Sequence, residues 1–264
     1  MNHEVEVKSY LNTNAFHYIV HLKMIHAYSE HIVCYYEHHK GQKGVVLLVP
    51  TPVVPFDART YPNSAFIVLL AATDRDVLYQ IIRYIPPTEN LVFKLVDDTT
   101  KEVICQQFPS TRVTAYVSYT AYTQAFHQHA AVVASSMLDV RLLPYYHANG
   151  YTPDEMNQYF EQGAMSFTLY DHAHPLSTCF TFQNYERIWE IGGVYTDPAH
   201  RGKGYARMVV ETALQTLMAR QYVPRYQVAE TNISSIRVAE TLGLTPGVIT
   251  EHFFYHAGSD QQSI

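Results

Sequence analysis

The run from Trp189 to Arg207, WEIGGVYTDPAHRGKGYAR, constrains the fold more than any other stretch, because it reads as a strand, a tight turn and the glycine-rich opening of a helix in direct succession. Ile188 to Thr196 is rich in β-branched and aromatic residues, and Asp197-Pro198 breaks that strand where a turn is needed. Beyond the turn, Tyr205, Met208, Val209, Thr212, Ala213, Thr216 and Leu217 recur with helical spacing and make one buried face. Between them, Arg201-Gly202-Lys203-Gly204-Tyr205-Ala206 sets two glycines where backbone N–H groups approach a ligand closely. A helix N-terminus leaves its first amides unpaired and turns the positive end of the macrodipole outward. The combination is an anion cradle suited to a pyrophosphate.

Two common phosphate loops do not fit. G-x-x-x-x-G-K-[ST] fails because Gly204 is followed by Tyr205, and G-x-G-x-x-G fails because the position three after Gly204 is Arg207. The flanks continue in a consistent order. Arg225 to Ala229 is a short strand candidate, and Asn232 to Leu244 reads as a short helix opened by a capping Asn and closed by Gly243. Arg201, Gly204 and Ala206 meet the pattern [RQ]-x-x-G-x-[GA], and Asn232, Ser235, Leu242, Gly243 and Leu244 meet N-x-x-[SA] followed by L-G-[FL]. In these two motifs and their order the chain resembles the GNAT N-acetyltransferase superfamily over roughly residues 138 to 256.

That resemblance implies an α/β (α+β) fold, a mixed and mostly antiparallel twisted sheet flanked by helices, with an acetyl group moved directly from acetyl-coenzyme A to an amine. It implies coenzyme contacts at Arg201, Gly202, Lys203, Gly204, Tyr205, Ala206 and Arg207, along the backbone of Val194, Tyr195 and Thr196, and at Asn232 and Ser235. Glu190 takes the place of the general base, which the reaction needs because an amine near neutral pH is mostly protonated. The residue alternates with Gly192, Val194 and Thr196 on one face of its strand. Gly192-Gly193 in mid-strand marks a bulge or a close approach; in this family a bulge here opens the slot for the pantetheine arm. The tyrosine that many members carry seven residues after the motif Asn is Ala239 here, so the usual proton donor to the leaving thiolate is missing; Tyr195 and Tyr255 are candidates to stand in, and the sequence does not choose between them.

With Lys+Arg 18 against Asp+Glu 24 the net charge is −6, which argues against nucleic acid or an anionic membrane as the main partner. No run of about 18 apolar residues occurs and the start lacks a signal-peptide pattern, so a cytoplasmic protein is expected. Cys34, Cys105 and Cys179 form no C-x-x-C pair, and none of the 15 histidines has H-E-x-x-H spacing, so no disulfide framework and no metal are expected. Cys179 reads as a buried core thiol.

The first half has its own mixed α/β pattern: strands at 31–36, 44–49, 65–72, 91–96 and 112–119, and helical spacing over 74–84. No second glycine-rich cradle occurs there. Residues 1–125 are therefore read as an accessory α/β domain or a degenerate copy of the acetyltransferase fold, and 126–264 as the GNAT domain. The boundary rests on a helical-looking stretch at 121–136 and on 139–143 as the first strand of that domain. Thr152-Pro153-Asp154-Glu155 signals a helix start with a capping box, and 165–170 and 176–182 form a hairpin. The acceptor, a small molecule or a peptide amine, is not readable, and a homodimer is left open. Two rival readings remain: a coenzyme A-binding sensor or scaffold of the same fold without turnover, and aminoacyl transfer, which the net charge disfavours.

Overall fold

The computed structural model describes residues 3–39 and 41–258. Alternating helices and strands run along the chain: α1 (Glu4–Leu11), α2 (Ile19–Tyr28), β1 (Val33–His39), β2 (Gln42–Pro50), α3 (Pro55–Thr60), β3 (Phe66–Ala72), α4 (Arg75–Ile81), β4 (Leu91–Leu95), α5 (Asp98–Gln107) and β5 (Ser110–Thr120). There follow β6 (Val132–Ser135), α6 (Leu143–His147), α7 (Pro153–Glu161), β7 (Met165–Asp171), β8 (His174–Tyr185), β9 (Ile188–Thr196), α8 (Tyr205–Ala219), β10 (Val223–Ala229), α9 (Ile233–Thr241) and β11 (Thr245–Tyr255).

These elements form two compact units, one of residues up to Tyr116 together with those from Val248 onward, the other of Val117–Gly247. The division differs from a single cut at 125/126 for a physical reason. The last strand, β11, pairs antiparallel with β4 from Leu91 to Leu95, so the end of the chain belongs with its beginning.

In the first unit the strands run β1-β2-β3-β4-β11-β5. Val46, Leu48, Val68, Leu70 and Phe93 pack under Val77, Leu78 and Ile81 of α4 and Val103 and Ile104 of α5. In the second unit the order is β5-β10-β9-β8-β7-β6, mostly antiparallel with a parallel β9–β10 pair. One face carries α8, whose Val209, Val210, Ala213, Leu214 and Leu217 bury against Trp189, Ile191, Cys179 and Phe167. The helical spacing in the sequence is this stripe. The other face carries α6 and α7, where Leu142, Tyr146 and Met156 pack on Phe180 and Phe182.

The same order recurs in both units. β2 and β3 pair antiparallel, α4 crosses over, and β4 returns parallel to β3; β8 and β9 pair antiparallel, α8 crosses over, and β10 returns parallel to β9. A parallel return through a helix needs a connection of this length.

Two local expectations fail in the second unit. Residues 121–131 are not helical but irregular, and β6 follows them. The Gln124 side chain bonds the N–H groups of Tyr122 and Thr123 and the carbonyl of Gly243, while Glu211 takes the His127 N–H at 3.2 Å and the His129 ring at 2.9 Å. Tertiary bonds thus replace a helix ladder. Residues 139–143 are not a strand but a turn leading into α6, because Asp139 accepts from the Arg141 N–H and Pro144 suits the first turn of a helix. The first strand of this unit after β5 is β6, paired with β7.

The capping box at α7 is present, with Thr152 Oγ1 accepting from the Glu155 N–H at 3.2 Å and Glu155 Oε2 accepting from the Thr152 N–H at 2.7 Å. Thr152→Ala should lower stability by about 1 kcal/mol, read as a lower denaturation midpoint; an unchanged midpoint would contradict the cap's contribution.

Candidate active site

The site is built where β9 and β10 part. They pair in parallel at Ile188↔Val223, Trp189↔Pro224 and Glu190↔Arg225, and the pairing stops there although both strands continue. From Ile191 to Thr196 the edge of β9 that faced β10 has no strand against it among the described residues. Unpaired strand edges hold backbone donors and acceptors ready for a ligand, and Val194, Tyr195 and Thr196 lie on this edge.

A bulge accompanies the parting. β8 and β9 slip register between Thr178↔Tyr195 and Phe180↔Gly192, and Gly193 in the extra position has φ 60°. A Cβ on Gly193 would lie 2.8 Å from the buried ring of Phe180. Gly193→Ala therefore meets both a left-handed backbone and an overpacked core, with an expected loss of about 1–3 kcal/mol. An unchanged thermal midpoint would remove the bulge from this account.

Beyond Thr196, Asp197 caps the following turn by accepting from the Ala199 N–H at 2.9 Å. Arg201 donates from Nε to the Thr196 carbonyl at 3.2 Å, and its guanidinium lies 5.8 Å from the centre of the Tyr195 ring, which stacks on Tyr145. Gly202 and Gly204 have φ 78° and 79°, and a Cβ on either would find nothing within 4 Å. Among the described residues no side chain caps the N-terminus of α8 at Gly204, and the helix ladder opens with the Met208 N–H donating to the Gly204 carbonyl at 3.2 Å. Arg201, Gly202, Lys203, Gly204 and Arg207 are exposed and Tyr205 and Ala206 half-buried. The arrangement is a solvent-open, uncapped helix start with cationic side chains around it, and it fits a diphosphate.

The first unit differs at the equivalent place. There the Asp74 side chain accepts from the Val77 N–H at 2.9 Å and caps α4 with a carboxylate, so an anion would meet negative charge and a filled donor.

Across the opening, Asn232 Oδ1 accepts from the Ser235 N–H at 3.2 Å and the Ser234 hydroxyl at 2.9 Å, capping α9; its amide nitrogen takes no part in these bonds. Ser235 lies on the first turn of α9.

Glu190 sits on the last rung of the β9–β10 pair, on the face of α6 and α7. Its neighbour across β8 is Phe182, and Gly192, two residues on, faces Tyr151 and Phe182. The carboxylate is buried, and its Oε2 accepts from Arg225 Nη1 and, at 2.6 Å, from Asn184 Nδ2. Arg225 is 2% exposed and also donates from Nε to Ser118 Oγ at 3.0 Å. Sequence reasoning missed Arg225 and Asn184. Arg225 is revealed only by the parallel register that sets it beside Glu190, and Asn184 only by the irregular end of the β8–β9 pairing; no local pattern signals either.

Residues 135–244 match the model of the Acetyltransferase (GNAT) family. Over these residues the chain is similar to a GNAT domain. Solved structures share the fold over more of the chain. An acetyltransferase of the GNAT family from Colwellia psychrerythraea is 11% identical with a TM-score of 0.59, covering 94% of this chain and 97% of that one. A tandem GNAT protein from the clavulanic acid biosynthesis pathway is 10% identical with a TM-score of 0.55, covering 92% and 89%. A GCN5-related N-acetyltransferase from Kribbella flavida is 16% identical with a TM-score of 0.53, covering 85% and 90%. Among curated proteins nothing matches.

The match to the GNAT family points to acyl transfer as the chemistry of residues 135–244. Among the described residues no group of three or more His, Cys, Asp or Glu is placed to hold a metal ion, and no helix is long and apolar enough to cross a membrane. His174 and His200 both approach Asp197, at 3.4 and 3.3 Å, and burial pushes the Cys179 thiol well up.

Proposed function

We propose that the second unit is an acetyl-coenzyme A-dependent N-acetyltransferase that moves the acetyl group directly to an amine. The observation that carries this reading is the conjunction of an uncapped α8 N-terminus with an unpaired edge of β9 beside it. The amides of residues 202–206, with Lys203 and Arg207, would hold the diphosphate. Val194, Tyr195 and Thr196 would bind the pantetheine arm through their backbone, with Asn232 and Ser235 opposite. The bound thioester supplies an activated acyl carbon. Glu190 then accepts the amine's proton, and a backbone N–H near the bulge, aimed at the developing oxyanion, contributes about 3 kcal/mol. The acceptor is an amine on a small molecule or a peptide, the work is done in the cytoplasm, and neither nucleic acid nor membrane is a partner. The first unit is a degenerate copy of the same fold that binds no coenzyme.

A second reading has its own support. Ala239 offers no proton donor and Glu190 is engaged with Arg225 and Asn184, as suits a coenzyme A sensor without turnover. A thiol-release assay with acetyl-coenzyme A and a panel of small amines, amino acids and peptides separates the two. Release with any amine supports the enzyme; tight coenzyme binding with no release across the panel supports the sensor.

A further inference from the structure

Tyr151 stands between Gly150, whose φ is 86°, and Thr152, the cap of α7. Its N–H donates to the Tyr146 carbonyl at 3.2 Å, and its ring lies edge-on to Phe180 at 5.1 Å and to Tyr159 at 6.3 Å. A turn, a capping box and an aromatic box therefore fix where its hydroxyl points.

That hydroxyl rests on β9. A Cβ on Gly192 would come within 2.8 Å of Tyr151 Oη, so glycine at 192 is what lets it lie there. Gly192 is two residues beyond Glu190, inside the stretch where β10 no longer pairs. The neighbouring tyrosines are committed elsewhere: Tyr145 donates to the Pro175 carbonyl at 2.6 Å, and Tyr146 pairs with Thr178 Oγ1 at 3.2 Å. Tyr255, in the first unit, donates to the Pro87 carbonyl at 3.0 Å, and the Tyr195 ring lies farther out between Tyr145 and Arg201. The Tyr151 hydroxyl, by contrast, faces β9 at Gly192, within reach of the Glu190 charge.

We infer that the Tyr151 hydroxyl is the proton donor of the acyl transfer, filling the role for which Ala239 has no side chain; this rests on the acetyltransferase reading above. Burial first, and the Glu190 charge after it, hold its acidity well below that of an ordinary tyrosine, so the proton is present throughout the working pH range. As the amine nitrogen bonds to the acyl carbon and the carbon–sulfur bond breaks, that bond's electron pair stays on sulfur and the Tyr151 proton joins it. The proton shed by nitrogen passes to Glu190 and from there restores the phenol.

Tyr151→Phe keeps the ring and deletes the donor. Thiol release should fall about 10²-fold, with the thermal midpoint near that of the wild type. A second readout is independent of turnover: by calorimetry the wild type should bind coenzyme A more tightly than desulfo-coenzyme A, and Tyr151→Phe should lose that preference. Gly192→Ala, which pushes the hydroxyl off β9, should act in the same direction. Tyr226, a buried tyrosine that packs with the residues under α8, serves as the control, and Tyr226→Phe should keep both rate and preference. Unchanged rate and preference in Tyr151→Phe would overturn the assignment, as would their loss in Tyr226→Phe alone. A wild type that binds neither compound would instead overturn the acetyltransferase reading, and this inference with it.

Discussion

Gly204→Val should weaken coenzyme A binding by about 10²-fold or more, equivalent to about 3 kcal/mol, while the protein stays folded. Gly204 has φ 79°, and a Cβ there meets no protein atom within 4 Å. The added methyls therefore damage no core. The harm comes from two other sources. A left-handed backbone costs an L-residue about 1–2 kcal/mol and is most unfavourable for a β-branched side chain, so the start of α8 shifts. The methyls also project into the open space at the helix start, where an anion must come close to the amides. Gly204→Ala should show the backbone part with less obstruction and fall between. Coenzyme affinity equal to wild type in Gly204→Val, measured by calorimetry, would show that the helix start is not the anchoring point.

Glu190→Gln should reduce thiol release by about 10²-fold or more with coenzyme affinity nearly intact. The buried ion pair complicates the readout in a way that can be resolved. Removing the carboxylate charge leaves Arg225 buried at 2% exposure without its counter-ion, a loss of about 3–5 kcal/mol in stability. Replacing both partners by groups that carry no charge is often neutral. Adding Arg225→Met to Glu190→Gln should therefore recover the thermal midpoint. If Glu190 is the base, the rate stays low in the recovered double variant. If the single variant was slow only because it was loosened, the rate returns, and Glu190 becomes an anchor for β10 rather than a proton acceptor.

The second unit was legible to the extent that its signals were local. The strand Ile188–Thr196, the paired glycines, the helix from Tyr205 and the caps at Thr152 and Asn232 each depend on neighbours a few residues away, and the structure contains them. The segments that misled are those whose backbone bonds are satisfied at a distance. Residues 121–131 have a helix-like pattern but are tied to Gly243 and Glu211, and the turn at Asp139 depends on its own side chain. The same limit explains the site. Glu190 could be named from its spacing to the loop, whereas Arg225, Asn184 and Tyr151 reach it only through strand register and the α6–α7 connection. The course of β11 was hidden for a similar reason, since nothing in Thr245–Tyr255 states that its partner is β4.

The duplicated strand–helix order sharpens the central claim into a stoichiometry. Both units have a parallel strand pair that parts after three rungs, but only α8 begins uncapped behind two left-handed glycines; α4 begins behind Asp74. Isothermal titration of the whole chain with coenzyme A tests this most directly. The expected result is saturable binding of one coenzyme per chain, lost in Gly204→Val and unaffected by Asp74→Ala. No binding, or a site that survives Gly204→Val at full affinity, would contradict it.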